Sequence, residues 1–144
     1  MIGDTRSGGS EPIVYLDFSD IHDDGLEHLK KAIQRLIDAI EPHEPQLVTY
    51  GFHLNEPERV MTVTAVHPDS ASLELHMDIG RDEFRKVGKF ITLKRIHVYG
   101  HISERARQML QHKAEMLGGA TLIVSERFAG FDHLPATQDR GQQS

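Results

Sequence analysis

Apolar positions along this chain recur at two spacings, and the alternation between them lays out the elements. Residues 12–20, PIVYLDFSD, alternate strictly: Val14, Leu16 and Phe18 fall on one side, Ile13, Tyr15 and Asp17 on the other. That period of two predicts a strand with one strongly apolar face. The spacing changes to three and four over residues 25–41, where Leu26, Leu29, Ile33, Leu36, Ile37 and Ile40 form a stripe opposite Lys30, Lys31, Gln34, Arg35 and Asp38. This predicts an amphipathic helix, with DIHDDG ahead of it supplying Asp residues suited to its N-terminus. EPHEP ends the helix with two prolines.

Two strands follow, QLVTYGFHL (46–54) and RVMTVTAVH (59–67), joined by the polar turn NEPE as an antiparallel hairpin. Both carry apolar residues on both faces, so the sheet must be covered twice, once by helices and once by further chain or a second subunit. Pro68 with Asp69 or Ser70 opens a short helix to about Met77, and a break near DIG precedes a second helical piece holding Phe84 and Val87. FITLKRIHVYG (90–100) reads as a strand with Ile96 and Val98 on one face and Leu93, His97 and Tyr99 on the other. Residues 103–117 form a third amphipathic helix, capped by Ser103 and stopped by Gly118–Gly119, and ATLIVSERF (120–128) is a last strand.

Composition narrows the classes of function. A chain of 144 residues, 38% hydrophobic and 26% charged, is the size and texture of one globular domain. Residues 1–11 read as a flexible leader, 12–100 as the main domain, 101–131 as an αβ extension of it and 132–144 as a loose tail. The leader has no apolar segment of the secretory kind, and no apolar run is long enough to span a bilayer. The net charge of −6, with Lys and Arg dispersed, lacks the footprint of a nucleic-acid binder. There is no cysteine, which excludes disulfides, thiolate nucleophiles and iron–sulfur clusters and fits a cytoplasmic protein.

The element order β-α-β-β-α-β, then α-β, matches the ferredoxin-like split βαβ topology over its first six elements, an α+β class. Residues 12–100 also resemble the antibiotic biosynthesis monooxygenase superfamily of dimeric α+β barrels. The likeness rests on the first strand followed by LKKAIQRLIDAIE, on the hairpin LVTYGFHLNEPERVMTVTAV, and on PDSASLELHM, where Leu73 and His76 stand three apart on the short helix after the third strand. It implies a homodimer, two sheets packed face to face with helices outside, which would also cover the second apolar sheet face. It further implies a small-molecule oxygenase that acts on an aromatic or quinol-like substrate without a bound organic cofactor. The haem-degrading branch is set aside. Its Trp and Asn have no counterpart, because the chain has no Trp, Val66 or His67 falls where the Trp would be, and the first strand offers only Asp17 and Ser19. A non-catalytic ligand-binding dimer of the same fold is the alternative.

His76 occupies the position of the superfamily's helix histidine and is the candidate catalytic residue, since an imidazole titrating near neutrality takes a proton from a phenol. Tyr50, His53 and His97, all on strands, are candidate substrate-binding residues. His67 lies close to the helix start, and no spacing among the ten histidines signals a metal site. Tyr15 and Tyr99 read as packing residues with hydroxyls at the rim, and Arg59 and Arg95 as solvated strand-end residues able to orient an anion.

Overall fold

The computed structural model describes residues 11–133; the expected leader and tail fall almost wholly outside them. Five strands form one sheet: β1 (Ile13–Ile21), β2 (Thr49–Asn55), β3 (Val60–His67), β4 (Ile91–Tyr99) and β5 (Thr121–Ser125). Three helices, α1 (Leu26–Ile40), α2 (Ser70–Gly88) and α3 (Glu104–Met116), alternate with them, and a 3₁₀ turn (Glu41–His43) follows α1. The sheet order is β2-β3-β1-β4-β5. Every pairing in the first four strands is antiparallel, with β1 at the centre, and β5 joins β4 in parallel across α3. The first six elements are thus a ferredoxin-like α+β unit, and the αβ extension lengthens its sheet by one strand.

The helices bury their stripes on one face of the sheet. Leu29, Ala32, Leu36 and Ile40 of α1, Leu73, Met77, Phe84 and Val87 of α2, and Ala106, Leu110 and Ala114 of α3 meet Ile13, Tyr15, Met61, Val63, Ala65, Leu93, Ile96 and Val98. On β1 the core takes Ile13, Tyr15, Asp17, Ser19 and Ile21, and leaves Val14, Leu16 and Phe18 on the uncovered face. The face that holds the carboxylate is therefore the buried one, because α3 brings a cation to it.

Three local readings of the sequence are corrected. The helix after β3 does not break at DIG: α2 is continuous over 19 residues. Gly80 sits inside it because the Phe84 ring lies across that position, where a Cβ would stand 2.4 Å from Phe84 Cζ. Leu93 lies on the helix side together with Ile96 and Val98, not with His97 and Tyr99. The register shifts between Phe18 and Ser19, where Arg95 and then Leu93 pair, so Lys94 is an extra residue that turns the strand over. Helix α1 is opened by Gly25 and has no side-chain cap, whereas Asp69 caps α2 and Ser103 caps α3 through Ser72 N–H and Ala106 N–H.

The uncovered sheet face is apolar and hydroxyl-rich, with Val14, Leu16, Phe18, Val60, Thr62 and Val66 at its centre. No helix among the described residues is long and apolar enough to cross a membrane.

Replacing Gly80 by alanine tests the packing of α2. Alanine gains about 1 kcal/mol in helix propensity, but driving Phe84 out of its seat costs roughly 1–3 kcal/mol, so Gly80→Ala is expected to lower stability in urea denaturation by up to about 2 kcal/mol. A clear gain in stability would show that the ring is not held there.

Candidate functional site

Strand alternation points Tyr15, Asp17 and Ser19 from the central strand into the layer between sheet and helices. Helix α3 delivers Lys113 to the same place. The Tyr15 hydroxyl donates to Asp17 Oδ2 at 2.5 Å, and Lys113 Nζ donates to the Tyr15 oxygen at 2.8 Å while standing 3.5 Å from Asp17 Oδ2. The ammonium also faces two rings, Phe84 at 4.5 Å and Tyr15 at 5.0 Å. Asp17 Oδ1, by contrast, is buried and has no hydrogen-bond partner among the described residues. Burial raises the Asp17 carboxyl and lowers the Lys113 ammonium against the opposing pull of each on the other. Their proton affinities are thereby drawn together, so moving a proton between them costs less here than in water. Burial and the Asp17 charge hold Tyr15 well above the ordinary phenol range, which keeps it a donor.

A second buried pair lies alongside. His76, on α2, places Nδ1 at 3.1 Å from both oxygens of Glu44, which follows the 3₁₀ turn. Burial lowers the His76 pKa and outweighs the raising effect of Glu44, so the ring is neutral near pH 7. The carboxylate then fixes the proton on Nδ1 and leaves Nε2 as the acceptor. The His76 ring packs edge-on to Tyr50 at 4.7 Å, and at 5.3 Å from both His67 and Phe84. His67, fully buried, bonds through Nδ1 to Ser72 Oγ at 2.8 Å, and Gln46 donates to the same hydroxyl at 3.1 Å.

Tyr15, Asp17, Tyr50, His76, Phe84 and Lys113 all line one cavity of about 30 Å³, walled elsewhere by apolar side chains. A water needs roughly 10–15 Å³ measured this way, so as it stands the cavity accommodates one or two waters or a small functional group. Phe84 and Lys113 also line a groove of about 310 Å³ between α2 and α3, where they form the wall between the two spaces.

Of the residues singled out in the sequence, the structure brings His76 and Tyr50 together and separates them from the other two. His53 and His97 are on the uncovered face of the sheet, His53 bonded to Thr64 Oγ1 at 3.0 Å and His97 between Phe18 and Tyr99. Tyr15 does not have its hydroxyl at a rim: it is buried and doubly bonded. Arg59 donates to the backbone carbonyls of His22 and Asp23, and Arg95 lies over the Phe18 ring. Among the described residues no group of three or more His, Asp or Glu is arranged to hold a metal ion. Sequence reasoning passed over Asp17, Glu44 and Lys113 as site residues. One signal was available for Asp17, a carboxylate inside an otherwise apolar strand.

No family model matches the chain, and no curated protein matches its sequence. Solved structures do match. MupZ from Pseudomonas fluorescens superposes with a TM-score of 0.64 at 16% identity, covering 88% of this chain and 100% of its own. An antibiotic biosynthesis monooxygenase superposes at 0.53 with 10% identity, covering 63% of this chain and 99% of its own. The chain therefore shares the α+β fold of that monooxygenase. Rv0793 from Mycobacterium tuberculosis has the same fold at a TM-score of 0.54 and 13% identity, over 65% of this chain and 98% of its own. The MupZ match spans more of the chain than residues 1–99 contain, so it takes in part of the extension that carries Lys113.

His67 makes the site sensitive to acid. Burial lowers its pKa from 6.5 to about 3, with the charges of His76 and Lys113 acting in the same direction. Between those values the unfolded chain binds a proton that the folded chain refuses, so stability is complete above about pH 6.5 and falls as pH falls, by roughly 1.4 kcal/mol per unit. In denaturant titrations at about pH 7 and about pH 5, His67→Asn is expected to lose about 2 kcal/mol less than the wild type. Equal losses would remove His67 as the cause.

Proposed function

We propose that the protein is a small-molecule enzyme that works by proton transfer in the sheet–helix cavity, with Asp17 and His76 as the proton acceptors and no bound organic cofactor. The observation that carries this reading is the state of Asp17. One of its oxygens is held by Tyr15 and Lys113, and the other is buried, unpartnered and part of a residue that lines the cavity. A base prepared in this way meets a substrate proton without first giving up a hydrogen bond or a water shell. Lys113 and Tyr15 are placed to hold the negative charge of the carboxylate before the transfer and that of the substrate anion after it.

The oxygenase form of the reading is supported by the fold shared with an antibiotic biosynthesis monooxygenase and by the apolar walls around Tyr50 and Phe84. A phenol, quinol or anthrone gives a proton to Asp17 or His76, and the resulting anion passes its electrons to dioxygen. For an anthrone methylene, one oxygen atom ends as the new carbonyl and the other leaves as water. Substrate and dioxygen supply every electron. Oxygen uptake with a panel of quinols and anthrones tests this, with product formation followed in air and without it. Asp17→Asn and His76→Ala are each expected to reduce kcat by about a hundredfold or more. Rates equal to wild type in both variants would overturn the proton-transfer reading. Equal turnover with and without oxygen would overturn the oxygenase form alone.

The quaternary reading is a homodimer through the uncovered sheet face. Val14, Tyr99 and Ile123 on that face are 37%, 42% and 41% exposed, and a contiguous apolar sheet face is a standard site of pairing between subunits. Light scattering after size exclusion is expected to give twice the chain mass, with Leu16→Lys shifting it to the monomer. A wild-type monomer at micromolar concentration would contradict the pairing.

A further inference from the structure

The cavity that holds Asp17 and His76 accepts only a few atoms, so the remainder of any larger substrate must lie elsewhere. Two surface spaces adjoin it. One, of about 250 Å³, reaches Tyr50 from the side of α1 and is lined by Glu41 and Glu44. The other is the α2–α3 groove of about 310 Å³, which shares Phe84 and Lys113 with the cavity. The two differ in sign. Arg81 and Arg105 stand at the second, and the carboxylates that pair with them, Asp78 and Glu74, are not part of its lining. Each guanidinium has five N–H donors in a fork that suits carboxylate and phosphate oxygens, so both retain donors for a further anion. Met77, Met109 and Met116, flexible apolar side chains that adapt to a chain of varied shape, line the groove together with Gln108 and His112.

We infer that the α2–α3 groove binds the aliphatic tail of an anionic amphiphile, with its carboxylate or phosphate at Arg81 and Arg105 and its reactive end passing Phe84 and Lys113 to Asp17. At the roughly 10–15 Å³ per water-sized group that applies to the cavity, 310 Å³ has ample room for a ten-carbon chain. Gly80 is part of the device. Any side chain at that position would collide with the Phe84 ring in its present seat, so glycine lets the outer edge of the ring approach the α2 backbone beside groove and cavity. The acidic space near Glu41 and Glu44 repels an anion and leaves the groove as its site.

This inference rests on the proton-transfer reading for the purpose of the groove, but its test is a binding measurement that needs no turnover. Calorimetric titrations with decanoate, decyl phosphate, decan-1-ol and decyltrimethylammonium use the full chain in three forms: wild type, Met109→Trp, and Arg81→Glu with Arg105→Glu. Decanoate or decyl phosphate is expected to bind the wild type more tightly than the alcohol, and the two arms identify which anion is preferred. The double arginine variant is expected to weaken both anions by about tenfold or more while leaving the alcohol within about twofold. Met109→Trp fills the groove and is expected to weaken all chains; Met116→Lys, at the exposed end, serves if that variant melts early. Overturning results are no binding of either anion, equal binding of the cationic chain, or binding unchanged by both groove variants. If the wild type binds the anions as expected and Asp17→Asn turns over like wild type, proton transfer at Asp17 fails and the groove stands.

Discussion

Asp17 and Lys113 meet inside an apolar core, one on the central strand and the other on the last helix, 3.5 Å apart and joined through the Tyr15 hydroxyl. Neither ion tolerates that position alone, because desolvation of an unpaired charge there costs several kcal/mol. The pair therefore binds the αβ extension to the ferredoxin-like unit. Without α3 the central strand would carry a buried carboxylate with no counter-ion, and without β1 the last helix would bury an ammonium against Phe84. The extension is part of the core in the energetic sense, although it lies outside the six-element topology.

The same pair sets what the interior does chemically. Lys113 occupies the space between the Phe84 and Tyr15 rings, so the group that neutralises Asp17 is also the partition between cavity and groove. The carboxylate oxygen left free and the neutral His76 held by Glu44 are two proton acceptors of different kinds on one small space.

The sheet divides these roles between its faces. On the helix side the strands place Tyr15, Asp17, Tyr50 and His67; on the other they present Val14, Leu16, Phe18, His53 and His97. Because strand side chains alternate, His53 is separated from Tyr50 by the thickness of the sheet although it is three residues away. A histidine near the site in sequence is not thereby near it in space.

Much of the fold was legible in the pattern of apolar residues. Periods of two and of three to four located the five strands and the first and last helices, NEPE marked the hairpin, Ser103 the last helix's cap and Gly118–Gly119 its stop, whereas the helix over 70–88 was expected in two pieces. These features are local, dictated by backbone geometry and by neighbours within a few residues. His76, singled out by the resemblance of its helix, and Tyr50, by its place on a strand, both line the cavity. Other features were decided only when distant segments met. Gly80 breaks no helix because Phe84 covers it, and Leu93 faces the core because a bulge opposite Phe18 turns the strand over. Asp17 is a core residue because Lys113, 96 positions later, neutralises it. A single sequence carries the identity of both charges but no record of their separation, and the energy of a buried charge depends on that separation and on the water it has lost.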